Sequence, residues 1–138
     1  MSSLYVRQAF YAALPLLLPS FVYVPTLNDQ VKQELLPDGL WYTIDFDAFE
    51  EMRVSLGMPG CFRERGVVNV TLAAPANTND LPLAEFAQSI HDAFLDWFDP
   101  TGMLRVYQVD PPIEVDGGDL RGAWWLMEVP MSYEWQRH

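Results

Sequence analysis

Gly66-Val-Val-Asn-Val-Thr-Leu-Ala-Ala74, then Pro75-Ala-Asn-Thr-Asn-Asp80 and the run from Leu81 to Phe98, decide how this chain folds. In the first segment Val68, Val70 and Leu72 fall on one side, and Val67, Asn69 and Thr71 on the other. A period of two is the signature of a sheet strand with one face more deeply buried. The polar stretch after Pro75 breaks that strand, and Pro82 suits the first turn of a helix, where its missing N–H costs nothing. Leu83, Phe86, Ala87, Ile90, Phe94 and Trp97 then recur at three- and four-residue spacings, with Glu85, Gln88, Ser89, His91, Asp92 and Asp96 opposite. Strand, turn and amphipathic helix form a unit built to pack. Nothing in it is spaced like a reaction centre.

Upstream, Trp41 to Ala48 alternates again, setting Tyr42, Ile44, Phe46 and Ala48 against Trp41, Thr43, Asp45 and Asp47. Between the two strands, Phe49 to Glu64 carries Gly57-Met-Pro-Gly60 and reads as an extended hairpin arm or loop. Downstream, Asp99-Pro-Thr-Gly102 stops the helix, and Leu104 to Val109 forms a strand ended by Pro111-Pro112. Glu114 to Asp119 reads as a loop. The last strand runs from Ala123 to Trp135, with Trp125, Met127, Val129, Met131, Tyr133 and Trp135 on one face; Pro130 within it favours an edge or a bulge.

At the other end, Leu4 to Val24 is strongly apolar, but Arg7 and Gln8 interrupt it, and Pro15 and Pro19 argue against a membrane-spanning helix. Neither a basic start nor a small-residue cleavage site marks a secretory signal. The expected structure there is a helix over Ser3 to Leu14, with Leu4, Ala9 or Gln8, and Tyr11 or Ala12 near one face, followed by a proline-bounded segment, Leu16 to Val24, lying on the core. Pro25 to Gly39 reads as a loop with a helical turn around Asp29 to Leu36. No repeat or composition shift divides the chain, so residues 1–138 form one domain. The expected fold class is α+β: a small mixed, mostly antiparallel sheet of about four strands, two main helices on one face, and a long hairpin arm between the first two strands.

With 19 acidic and 8 basic side chains the formal charge is −11, which opposes binding nucleic acid through its phosphates. A lone cysteine, Cys61, forms no internal disulfide and suits a reducing cytoplasm. Candidate chemistry is thin. Asp45, Asp47, Glu50 and Glu51 have the charge for a hard cation, but Asp45 and Asp47 read as the solvent side of a strand. His91 with Asp92 and Asp96 makes a poor ligand set, because the two carboxylates share a helical face that the histidine leaves. Asp116-Gly-Gly-Asp119 lacks the alternating oxygens and terminal glutamate of an EF-hand. Cys61 has no catalytic histidine in a recognisable signature. Trp124 and Trp125 point to opposite faces, so at most one of them lines a given site; Trp125 reads as core and Trp124 as interface or partly exposed. No cofactor or metal is expected.

Taken together, Gly39-Leu-Trp-Tyr-Thr-Ile44, Leu56-Gly-Met-Pro-Gly60, Arg63-Glu-Arg-Gly-Val-Val-Asn-Val70, Ala74-Pro-Ala-Asn77, the helix Ala84 to Phe98 and the strand Trp124 to Tyr133 resemble the tail terminator proteins of long-tailed bacteriophages. The resemblance runs over nearly the whole chain. It implies a structural protein, not an enzyme, that forms a six-fold ring on the end of the tail tube, stops tube polymerisation and presents its other face to head-completion proteins. It implies assembly in the host cytoplasm, a final place in the virion at the head–tail junction, and as partners other copies of the chain, the tail tube protein and a head-completion or neck protein. DNA would only pass through the lumen, where a net-negative wall lets it slide, and no membrane is involved. The surface expected to join neighbours is the arm, with Met52, Arg53, Met58, Cys61, Phe62 and Arg63; the strand with Pro130 is a second candidate. The alternative is another neck or head–tail connector component of similar shape.

Overall fold

A computed structural model describes residues 4–25, 39–53, 62–76, 81–115 and 124–137. The arm tip at 54–61, the helical turn expected at 29–36 and the loop at 116–119 lie outside them. In chain order the elements are α1 (Leu4–Leu17), β1 (Val22–Tyr23), β2 (Trp41–Arg53), β3 (Phe62–Pro75), α2 (Leu81–Phe94), β4 (Leu104–Val109), β5 (Ile113–Glu114) and β6 (Trp124–Arg137).

The strand that opened the sequence argument is the middle of the sheet. The order is β1-β2-β3-β6-β4, with β5 also paired to β6. Only β1 and β2 run parallel; every other pairing is antiparallel. Val68, Val70 and Leu72 are fully buried on one face of β3, where they meet Val129, Met131 and Tyr133 of β6 and Tyr42 and Ile44 of β2 in the main core. The fold is α+β with a mostly antiparallel sheet, but it has six strands where about four were expected. The additional two, β1 and β5, are each two residues long, too short to leave an alternation in sequence.

α2 buries Leu83, Ala87, Ile90 and Phe94 against this face, following the expected stripe. It ends at Phe94 instead of continuing to Phe98: Asp96 takes a left-handed conformation (φ 55°), and the Trp97 N–H reaches back to the Phe94 carbonyl at 3.3 Å. Trp97 still packs on Phe94 and Phe10, with ring centroids 5.2 and 5.5 Å apart. The apolar stripe therefore outlasts the helix.

α1 corrects the expected face. Val6, Phe10 and Leu14 are buried at i, i+4 spacing, whereas Leu4, Tyr11 and Ala12 are exposed. The helix also passes through Pro15 to Leu17, because a proline in a last turn removes a single intrahelical hydrogen bond. Leu18, Phe21 and Val24 then lie buried, as expected of the proline-bounded segment.

Pro130 also departs from expectation. β6 is interior, flanked by β3 on one side and by β4 and β5 on the other. Pro130 sits where β4 ends (Val109↔Met131) and before β5 begins (Ile113↔Glu128). Its carbonyl accepts the Asp110 N–H at 2.9 Å, so its missing N–H faces the changeover and costs no ladder bond.

The sheet's second face is not bare. Val24, Trp41, Ala73 and Leu126 form a smaller buried cluster there, with Trp124 and Val115 against it. Trp125 packs instead on the main core, so the two tryptophans divide between the faces as their alternation requires. Among the described residues no helix is long and apolar enough to cross a membrane.

Candidate assembly surface

Pairing between β2 and β3 does not stop at Ala48, where the expected strand ended. After a bulge between Ala48 and Glu50 the register continues through Glu50↔Arg65, Glu51↔Glu64 and Met52↔Arg63 to Arg53↔Phe62. Four of the six residues expected at a subunit interface, Met52, Arg53, Phe62 and Arg63, thus lie on the last two rungs of one hairpin ladder. Phe62 and Arg63 are half-buried. Met58 and Cys61 lie outside the described residues.

The bulge falls beside Gly66, and the chain needs glycine there for want of room. A Cβ on Gly66 would lie 2.6 Å from both the Asp47 carbonyl and the Tyr133 hydroxyl. Tyr133, fully buried, uses that hydroxyl to donate to Glu64 at 2.8 Å, which gives the 7 %-exposed carboxylate a partner. A bulge bends and twists the strand that carries it. Gly66 therefore marks the bulge between the helix-covered sheet and the outer part of the β2–β3 ladder.

On the opposite face of the same rungs, Glu134 lies between two arginines. Arg65 approaches one of its carboxylate oxygens at 3.3 Å and Arg105 at 3.5 Å, while Gln136 donates to the other at 2.9 Å. Burial alone would raise this carboxyl, but the Gln136 amide and the two guanidiniums outweigh it and hold it below the usual range. Both guanidiniums also lie 5.9 Å from the Tyr107 ring. Gly102, Met103, Arg105, Glu134 and Gln136 line a shallow groove of about 290 Å³ beside them. Sequence reading missed this triad, because its members lie on β3, β4 and β6 and only the register places them side by side.

A second network fastens the start of α1 to the turn before β4. Asp99, 5 % exposed, accepts from the Tyr5 hydroxyl, from Thr101 at 2.9 Å and from the Leu104 N–H at 3.1 Å. Burial pushes the Asp99 carboxyl up, and these donors more than reverse it, leaving it below the ordinary value. Tyr5 stacks on Trp135 with centroids 5.0 Å apart.

The acidic candidates stay apart from these networks. Asp45 and Asp47 are exposed on the second face of β2, opposite Asn69 and Val67. His91 sits 3.0 Å from Asp92, which also accepts from Gln88 at 2.9 Å, whereas Asp96 serves the end of α2. The hydrogen bonds from His91 and Gln88 keep Asp92 below its usual range. Among the described residues no group of three or more His, Cys, Asp or Glu is placed to hold a metal ion. Asp116, Asp119 and Cys61 lie outside them.

Aromatic side chains line the α1–β1 side of the molecule. Tyr11 packs on Tyr23 and Phe46, both with centroids 5.7 Å apart, Tyr23 on Tyr42 at 5.5 Å, and the Arg7 guanidinium lies 4.8 Å over Phe46. Burial, with a hydrogen bond to Tyr11, raises the Tyr23 hydroxyl well above its ordinary value. Tyr11 and Tyr23 nevertheless remain more than one-third exposed.

No protein-family model matches this chain, and no curated protein sequence does either. Among thirteen matching chains of solved structure, one covers 100% of this chain and 96% of its own length, with a TM-score of 0.58 at 16% identity. That protein carries no functional name, and a likeness at such low identity speaks to the fold alone.

Proposed function

We propose that this chain is a structural assembly subunit of the tail terminator kind, acting by association and not by catalysis. Copies form a ring, hexameric by the resemblance, on the finished end of a phage tail tube. The ring ends polymerisation and offers its far face to a head-completion or neck protein, which places the chain in the virion at the head–tail junction after assembly in the host cytoplasm. The observation that carries this reading is the β2–β3 hairpin, whose ladder runs beyond the Gly66 bulge to Arg53↔Phe62. That is where the resemblance puts an arm, ahead of Arg63-Glu-Arg65-Gly66. A hairpin anchored at its base by Tyr133–Glu64 and Arg65–Glu134 is held in place to reach a neighbour. DNA crossing the ring would meet a protein of net charge −11 and slide without being held.

The test is binding to purified tail tubes, read by electron microscopy of tube ends, alongside mass by light scattering over a concentration series. Decoration confined to tube ends, with arrest of further tube growth, is the expected result. Binding to portal-side components with none to tube ends would replace this reading with that of a head–tail connector. A closed dimer that binds neither would end both.

A further inference from the structure

We draw no further inference here: the strongest candidate, the exposed apolar patch of Leu95, Phe98, Met103 and Tyr107 along the β4 edge of the sheet, carries nothing because nothing in the structure shows what covers it.

Discussion

Gly66→Ala is the substitution whose sign is most informative. In an unconstrained strand, replacing glycine with alanine gains about 0.5–1 kcal/mol, because the unfolded chain has less freedom to lose. Here the new methyl would lie 2.6 Å from the Asp47 carbonyl and the Tyr133 hydroxyl, and 2.7 Å from a Tyr133 ring carbon. The carbonyl belongs to the β2–β3 ladder beside the Ala48↔Gly66 rung and cannot retreat without disturbing it. Overpacking of this kind costs about 1–3 kcal/mol. Tyr133 could swing away instead, but that takes the donor from Glu64, and a buried carboxylate left without it costs about 1–3 kcal/mol. Set against the glycine gain, either route leaves a net loss of about 0–2.5 kcal/mol. Equilibrium urea unfolding followed by tryptophan fluorescence should show the midpoint falling by up to about 1 M. Tyr133→Phe alone should cost about 1–3 kcal/mol, and the double variant less than the two single losses together, because both act on one contact. A Gly66→Ala midpoint above wild type, the gain expected of an unconstrained strand, would refute the close packing at Gly66.

The remaining expectations can be tested with the same assay. Phe94→Ala should lose about 3–5 kcal/mol and Ile90→Ala about 2–5 kcal/mol, since both are fully buried and leave cavities; unchanged midpoints would mean that α2 packs by another face. Asp99→Ala should cost about 1.5–3 kcal/mol by removing the acceptor that joins Tyr5, Thr101 and the Leu104 N–H, and in near-ultraviolet circular dichroism it should disturb the Tyr5–Trp135 stack. Asp99 and Glu134 both titrate lower folded than unfolded, so their stabilisation is complete above the unfolded value near pH 4 and is lost as pH falls through the lower folded values. An Asp99→Asn, Glu134→Gln variant should therefore lose less stability than wild type between pH 5 and pH 2, in the range about those values, and an identical loss in both proteins would contradict the assignment.

What could be read from the sequence follows from what repeats along it. β3 and α2 were legible because Val68, Val70, Leu72 and Leu83, Ala87, Ile90, Phe94 repeat at periods of two and about 3.6, and burial followed those periods. The face of α1 was misassigned, because apart from Arg7 and Gln8 the stretch from Leu4 to Leu18 is apolar, and a stripe is hard to tell from its surroundings there. β1 and β5 left no signal, being only two residues long. The end of β2 was hidden for a related reason: Glu50, Glu51 and Arg53 read as arm by composition, yet the ladder with Phe62 to Arg65 carries them on as strand.

The candidate surface divides in the same way. Sequence alone picked out Met52, Arg53, Met58, Cys61, Phe62 and Arg63, because apolar and basic side chains beside Glu50, Glu51 and Glu64 in one stretch between two strands are a local pattern. It also fixed the chain's net charge and the absence of acid from residues 4–25, which are sums over residues and need no coordinates. Only the tertiary structure put Glu134 between Arg65 and Arg105, closed Asp99 over Tyr5, set Gly66 against Tyr133 and left Tyr11 with Tyr23 exposed on one edge. Those pairs lie between 12 and 94 residues apart, and their meeting is set by strand register and helix placement, to which no local periodicity points.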